Sequence, residues 1–181
     1  MQDNKLVKVP IPVGVKLFAE QCPKTQEDEE DMSHVPYASA VVSLMYAMVC
    51  TRPDIAHAVG VLSRFTLKLG KEHWTTVKQV FRYLHGTSDY GLCYQGRLGL
   101  DRVLDICFFV DANWVGDLDQ RRYTSGYVFN LFGGAFNWMS KKQSIVALLT
   151  TEAEYIAATH ASKELVWLQR LCSSMGLVQG A

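Results

Sequence analysis

The chain has 181 residues, no formal net charge and a composition typical of a folded protein. Apolar residues make up 49% of it and charged residues 20%, proportions that exclude a disordered polypeptide. Because 18 basic side chains balance 18 acidic ones, any nucleic-acid binding has to come from local patches. The five cysteines are scattered without a C-x-x-C pair, which excludes a disulfide framework and a cysteine zinc site.

The first half of the chain is predicted to be helical after a linker. Residues 1–35 contain three prolines and an acidic run, features of a linker or tail. Residues 36–90 predict three helices. They are Tyr37 to Cys50 after Pro36, a second helix after Pro53 with the stripe Ile55, Val59, Leu62 and Phe65, and Lys71 to His85 ended by Gly86. The apolar run Tyr37 to Cys50 is shorter than the ~20 residues of a membrane span, which argues against a membrane partner.

The second half, residues 91–181, changes to the alternation typical of strands. Strands are predicted at Leu92 to Gln95, Val103 to Val110, Tyr123 to Asn130 and Ala135 to Ser140, with turns at Gly96 to Gly99 and Gly133-Gly134. A long helix, Thr151 to Met175, ends before Gly176. Helices followed by antiparallel strands and a helix indicate the α+β class.

Two carboxylates are the candidates for chemistry. On a helical wheel, Glu154 lies within about 40° of an apolar stripe while Glu152 faces the opposite side. The stripe comprises Ala158, Ala161, Leu165, Leu168 and Cys172. The alternative for Glu154 is a capping box with Thr151. Asp111 ends the strand Val103 to Val110, and its alternative role is to cap a turn. If the helix covers the strand face of Asp111, the two carboxylates approach one another.

Five basic side chains are candidates for nucleic-acid contact. Lys71, Lys78 and Arg82 share one stripe of the third predicted helix with Trp74, an arrangement that could follow a phosphate backbone. Lys141 and Lys142 follow the last strand of the predicted sheet. For both groups an ordinary solvated surface is the alternative.

Several motifs occur in the order found in one family. They are Asp111-Ala112, Thr124-Ser125-Gly126-Tyr127-Val128-Phe129, Trp138, Ser140-Lys141-Lys142-Gln143 and Thr151-Glu152-Ala153-Glu154-Tyr155. Together they resemble the ribonuclease H (RNase H) domain of copia-type LTR retrotransposon Pol polyproteins. Upstream, Thr51-Arg52-Pro53-Asp54-Ile55 and Arg82-Tyr83-Leu84-His85-Gly86-Thr87 resemble the segment connecting reverse transcriptase to RNase H.

The resemblance implies a helical tether (36–90) followed by a partial RNase H-like fold (91–181), a three-stranded antiparallel sheet plus helix with the later strands missing. It also implies that Asp111 and Glu154 are catalytic metal ligands, with magnesium as cofactor and RNA–DNA hybrid as substrate. The other implied partner is the rest of the reverse transcriptase polyprotein. The intact parent is expected to act inside the cell, in a cytoplasmic particle or the nucleus.

The resemblance places the polymerase palm, with its paired aspartates, before Met1, so we expect no polymerase activity. The chain ends before the further carboxylates that the family supplies, so we expect no hybrid cleavage. The alternative is a non-catalytic module that binds nucleic acid or protein. A later strand normally pairs with Val103 to Val110, and its loss predicts an exposed sheet edge and self-association. Two departures from the family pattern are Asn113 in place of a second Asp and Leu149 in place of Ser.

Overall fold

A computed structural model describes residues 7–12, 14–95, 103–104, 106–113, 119–176 and 178–179. The chain divides into two compact units. The first comprises Met1–Gly91 with Val115–Arg121, and the second comprises Leu92–Trp114 with Arg122–Ala181. The main break between the two units lies between Gly91 and Leu92, one residue after the predicted boundary between residues 90 and 91.

Four α-helices form the described part of the first unit. They are α1 (Gln26–Ser33), α2 (Tyr37–Cys50), α3 (Ala56–Leu62) and α4 (Lys71–Gly86), with 3-10 turns at Ala19–Gln21, Pro53–Ile55 and Ser63–Phe65. The predicted stripe of Ile55, Val59, Leu62 and Phe65 is buried across α3 and its flanking turns. It packs against Val77 and Val80 of α4 and Tyr37 of α2 in one core, so the 3.6-residue period located the core face of these helices.

The described part of the predicted linker, residues 1–35, is folded onto this core. Leu17 is buried in it, and Cys22 and Val35 pack against it. Helix α1 begins after Thr25, whose side chain accepts a hydrogen bond from the Asp28 N–H at 3.3 Å. Composition alone suggested a tail because prolines and an acidic run are features of linkers. The same residues are compatible with a capped helix on the surface.

The second unit contains five strands and one long helix among its described residues. These are β1 (Val103–Leu104), β2 (Ile106–Asn113), β3 (Thr124–Leu131), β4 (Gly134–Lys142), helix α5 (Thr150–Ser174) and β5 (Val178–Gln179). Strands β2, β3 and β4 form an antiparallel sheet in that order, which confirms the α+β class. The β3–β4 turn places Phe132 and Gly133 at positive φ, 54° and 81°, as a tight hairpin turn requires.

Helix α5 covers one face of the sheet. Ala161 and Leu168 form a buried cluster with Phe129 of β3, and Ile106 and Val110 of β2 pack against that cluster. Nearer the start of the helix, a second cluster joins buried Tyr123, Ala147 and Ala153, with Ala112 and Ile156 against it. The order strand, strand, strand, helix is therefore the order of the elements that carry the RNase H-like motifs.

Two predictions about strands need correction. The segment 92–95 is not a strand, although it contacts the β3–β4 hairpin: the Gln95 N–H donates to the Phe132 carbonyl at 2.9 Å, and the Tyr94 hydroxyl donates to the Ala135 carbonyl at 2.7 Å. Gly134 permits this approach, because a Cβ there would lie 2.6 Å from the Tyr94 ring. The predicted turn at 96–99 lies outside the described residues.

The second correction concerns the edge of the first predicted strand. Val103 and Leu104 pair in parallel with Val178 and Gln179, so a short later strand is present. Among the described residues, β1 receives that partner and β2 lies at the edge of the three-stranded sheet.

Within the described part of the chain, no single helix is both long and apolar enough to cross a membrane. The pair formed by Gln26–Ser33 and Tyr37–Cys50, bent by 51°, meets the criteria of length and composition together.

Candidate functional site

Asp111 lies near the end of β2, opposite Gly126 of β3, and it is exposed. The β2 residues that pack against the clusters under α5 are Ile106, Val110 and Ala112. Since successive side chains of a strand point to opposite faces, Asp111 belongs to the set that faces away from α5. The condition stated for the approach of Asp111 and Glu154, a helix covering the face of Asp111, is therefore not met.

Glu154 lies in the second turn of α5 and is exposed. The buried residues of this helix are Ala153, Ala157, Ala161, Leu168 and Cys172. The predicted stripe was thus displaced, because it included the exposed Ala158 and omitted Ala153 and Ala157. Glu154 flanks the buried stripe instead of lying on it. The wheel erred because alanines made two adjacent stripes equally apolar in sequence.

Glu152, rather than Glu154, caps the start of α5. The helix begins at Thr150 with Leu149 as N-cap, and Leu149 offers no side-chain hydrogen bond. The Glu152 carboxylate accepts a hydrogen bond from the Leu148 N–H at 2.8 Å. The capping alternative proposed for Glu154 with Thr151 was wrong, because the helix starts one residue earlier and its third position is Glu152.

Gln143, the last residue of the motif Ser140-Lys141-Lys142-Gln143, is buried, and the sequence alone predicted no role for it. Its side chain is 1% exposed, and its Nε2 donates to the Ser125 Oγ and to the Ala153 carbonyl, both at 2.9 Å. Its backbone N–H donates to the Tyr123 carbonyl at 2.8 Å. Gln143 thereby ties the end of β4 to the start of β3 and to the first turns of α5. A polar residue in a run of lysines gave no sign of this burial.

The described residues do not by themselves form a magnesium site. No group of three or more histidine, cysteine, aspartate or glutamate side chains in this part of the chain could hold a metal ion. Magnesium bound through protein oxygens needs carboxylates that converge on one point. Asp111 and Glu154 are both exposed. The elements that carry them, β2 and α5, contact each other through other side chains.

The basic stripe of α4 is only partly available for nucleic acid. Lys71 is exposed, but its Nζ lies 3.4 Å from Asp28 Oδ1 and 3.7 Å from Asp31 Oδ2 of α1. Lys78 and Arg82 are half-buried, and the Arg82 Nε has no hydrogen-bond partner among the described residues. The acidic helix α1 therefore neutralises one end of the stripe.

The second basic pair lies at the end of β4. Lys141 is exposed opposite Ser125, and Lys142 is half-buried opposite Thr124. Asp111 and Asn113 lie on β2, which is the other neighbour of β3. The lysine pair is thus on the same sheet as Asp111, two strands away.

The upstream motifs have structural roles in the first unit. Arg52 is buried, and its guanidinium donates to both Asp54 carboxylate oxygens at 2.7–3.3 Å. It also donates to the Thr87 carbonyl at 3.0 Å and the Thr87 hydroxyl at 2.6 Å. The Tyr83 hydroxyl donates to Asp54 at 2.8 Å. These bonds connect the turn before α3 with the end of α4.

The Arg52 network also fixes the charge state of Asp54. Burial raises the pKa of this carboxyl, but the hydrogen bonds from Arg52 and Tyr83 and the positive charge of Arg52 lower it by more, so the net pKa is lowered. The carboxylate therefore stays ionised and paired in the folded state.

Known proteins are similar in sequence to this chain over nearly its whole length. The chain is 52% identical over 179 residues to the retrovirus-related Pol polyprotein from transposon TNT 1-94 of Nicotiana tabacum. It is 35% identical over 177 residues to the Pol polyprotein from transposon RE2 of Arabidopsis thaliana. The matches cover 99% and 98% of this chain. The chain belongs to the copia-type retrotransposon Pol polyproteins. It spans only 13% and 11% of the length of these two relatives.

A third relative is much shorter than the Pol polyproteins. The secreted RxLR effector protein 161 of Plasmopara viticola is 50% identical over 137 residues, which cover 76% of this Pol chain and 94% of that protein. No family model matches the chain. No solved structure matches it either.

Proposed function

We propose that this Pol chain comprises the connection segment of a reverse transcriptase and the first part of its RNase H domain. The intact parent would hydrolyse the RNA strand of RNA–DNA hybrids with two metal ions, and Asp111 and Glu154 would be two of the ligands. The observation that supports this most is the order of the elements: three antiparallel strands, β2, β3 and β4, are followed by helix α5, which packs on their sheet.

We further propose that the chain on its own does not cleave hybrids. Both carboxylates are exposed, and the β2 residues under α5 alternate with Asp111. Two carboxylates that do not converge bind magnesium weakly and cannot position two ions for phosphodiester hydrolysis. The remaining ligands would come from other parts of the polyprotein, which is the proposed partner of this chain.

Contact with nucleic acid would involve Lys141 and Lys142 first. These lysines lie on the same sheet as Asp111. Lys78 and Arg82 would contribute through their half-buried side chains. The proposed site of action of the parent is a cytoplasmic particle or the nucleus.

A cleavage assay tests the proposal. The purified chain is incubated with a labelled RNA–DNA hybrid and magnesium, beside Asp111→Asn and Glu154→Gln variants. We expect the same background with all three proteins, because the two-ion arrangement is missing. Cleavage by the unmodified chain that disappears in Asp111→Asn would contradict the inactivity and would place Asp111 at the reacting phosphate.

Binding of the same hybrid is measured separately by fluorescence anisotropy at two salt concentrations. Lys141→Ala and Lys142→Ala are expected to weaken binding and to reduce its salt dependence, since each phosphate contact contributes about one released counterion. Lys71→Ala is the matched control and is expected to leave binding unchanged. An effect confined to Lys71→Ala would assign contact to α4 instead.

The second candidate function is a non-catalytic binding module derived from the Pol domain. It is favoured by the Plasmopara viticola relative, a protein named as a secreted effector of which this chain covers 94%. A polypeptide of about this extent therefore exists as a separate protein. If the hybrid neither binds to the chain nor is cut by it, while a protein partner binds with a defined stoichiometry, this second function is supported over the first.

A further inference from the structure

The outer edge of strand β2 is the surface that carries a further inference. β2 runs from Ile106 to Asn113, and all eight of its residues pair with β3 in an unbroken antiparallel register. On its other side, no described strand pairs with it, because β2 is at the end of the β2–β3–β4 order. A strand in this position presents backbone N–H and C=O groups that can accept another strand.

Edge strands of soluble proteins normally carry features that prevent such pairing, and β2 has few of them. Its sequence, ICFFVDAN, contains no proline and no lysine, and Asp111 is its single charge. The irregularity of the sheet lies elsewhere, between Phe129 and Asn130 where β3 meets β4. Prolines, lysines and bulges are the usual protection, so β2 is a flat and regular edge.

The opposite edge of the sheet provides the comparison. β4 carries Lys141 and Lys142 near its end. Near its start, the neighbouring backbone is engaged by the segment 92–95, through bonds from Gln95 to Phe132 and from Tyr94 to Ala135. One edge of the same sheet is thus protected by charge and by a covering segment, and the other is not.

We propose that the edge of β2 pairs with β2 of a second copy of this chain. The two strands would run antiparallel about a two-fold axis at Phe109, which places Phe109 opposite Phe109 and Asp111 opposite Cys107 of the other copy. A two-fold interface uses the same surface on both subunits, so an edge strand has to match itself. This register satisfies that condition, because each Asp111 lies opposite an uncharged residue of the other strand.

The exposure of the aromatic residues in β2 agrees with this arrangement. Phe108 is 47% exposed and Phe109 is 65% exposed, and both lie beside the proposed axis. Cross-strand aromatic pairs stabilise antiparallel strands, and the pairing would remove part of this surface from water. The joined sheet would contain six antiparallel strands, with the β4 edges on its outside.

The outer face of α5 is the competing surface for self-association. Tyr155 is 72% exposed and Trp167 is 54% exposed, and an open groove lies between Tyr155 and Val166. Lys163 also lines this groove, so a two-fold contact there would bring two like charges together. Self-association through this groove is the alternative outcome of the experiment.

Light scattering after size-exclusion chromatography, over a concentration series, tests the proposal with two variants. We expect the unmodified chain to change from monomer to dimer with concentration. Phe109→Lys places a charge on the edge and should raise the dimer dissociation constant about tenfold or more. Tyr155→Lys is the matched control, an equally exposed aromatic residue outside the edge, and should leave the constant unchanged. A chain that is monomeric throughout, or one that is dissociated by Tyr155→Lys and not by Phe109→Lys, overturns the proposal.

Hydrogen exchange gives a second measurement that does not depend on how the variant folds. In the unmodified chain, amides of residues 106–113 should become more protected as the concentration rises through the dimer transition. Amides of β4 should show no such change. Protection that rises in α5 or β4 but not in β2 would contradict the proposed pairing.

Discussion

The two units of this chain use their family motifs in different ways. In the first unit, Arg52, Asp54, Tyr83 and Thr87 bond to one another, and their charged and hydroxyl groups are satisfied inside the unit. In the second unit, Gln143 is buried and bonded, but Asp111 and Glu154 are exposed on the surface. Motifs of the first unit therefore maintain the fold, whereas the two carboxylates of the second form no hydrogen bond or ion pair with any residue that the structure describes.

This difference shows how to separate structural motif residues from candidate catalytic ones. A polar motif residue with all its partners inside one unit is explained by stability alone. Glu152 illustrates the point within a single motif, because it caps α5 while Glu154 two residues later does not. Asp111 and Glu154 are exposed and bond to no residue that the structure describes. For such carboxylates, a role in a site completed by other parts of the polyprotein is the better explanation.

Arg52→Ala is expected to have the largest effect on stability. It removes the partner of Asp54 and the donors to Thr87, leaving a carboxylate that is one-third exposed without its pair. We expect a loss of about 3 kcal/mol, at the lower end for a buried ion pair because Asp54 is partly hydrated. Chemical denaturation monitored by circular dichroism measures it. Lys71→Ala, which breaks an exposed pair of the same unit, should have a much smaller effect.

Gln143→Ala tests the corresponding residue of the second unit. It deletes the bonds to Ser125 and to the Ala153 carbonyl and leaves a buried hydroxyl unpaired. The expected loss is about 2 kcal/mol, the usual cost of leaving a buried polar group unsatisfied. The control is Gln169→Ala, an exposed residue of α5. Equal effects of the two substitutions would show that Gln143 does not connect the sheet to the helix.

Leu149→Ser is expected to stabilise the second unit. Leu149 is the N-cap of α5, has extended backbone angles (φ −128°, ψ 151°) and provides no capping bond. A serine there could accept a hydrogen bond from the first turn, which is worth about 1 kcal/mol. Thermal melting measures the gain, and Leu148→Ser, one residue outside the cap, should give none. No gain from Leu149→Ser would mean that the serine hydroxyl does not accept a bond from the first turn of α5.

The smallest expected effect is a pH dependence that arises in the first unit. His73 is fully buried and accepts a hydrogen bond from the Gly70 N–H on Nδ1 at 2.8 Å. Burial lowers its pKa, although Asp119 and Glu72 oppose the shift. The unfolded chain therefore takes up a proton first as the pH falls below about 6.5, so stability decreases on acidification. Melting temperatures at pH 7.5 and 5.5 measure the decrease.

Two variants connect that decrease to His73. His73→Gln should flatten the dependence between the two pH values, while His85→Gln, an exposed residue of the same helix, should leave it as it is. A dependence that persists unchanged in His73→Gln would assign it to other groups.

Much of the fold could be predicted from the sequence. The bounds of α2 were predicted to the residue, and those of α4 to one residue, because proline and glycine mark their ends. Residues 92–95 were wrongly predicted to be a strand, because four residues with β-forming side chains can equally form an extended segment beside a hairpin. The short strand β5 was missed because two residues carry no periodic pattern.

The site was harder to predict than the fold. Alternation places Asp111 on the same face of β2 as Cys107 and Phe109, but the sequence could not say which face α5 covers. That choice depends on long-range packing of Phe129, Ala161 and Leu168. The helical wheel could not separate two apolar stripes rich in alanine. The burial of Gln143 likewise follows from the meeting of three elements, which no local pattern records.

Manganese titration monitored by NMR tests most directly the claim that the metal site of this chain is incomplete. Paramagnetic broadening is followed for amides near Asp111 and Glu154 in the unmodified chain, in Asp111→Asn and in Glu154→Gln. We expect weak broadening that does not saturate. Asp111→Asn should leave the broadening near Glu154 unchanged, and Glu154→Gln should leave the broadening near Asp111 unchanged. Saturable binding of one ion that broadens both neighbourhoods, and that either substitution abolishes, would contradict the claim.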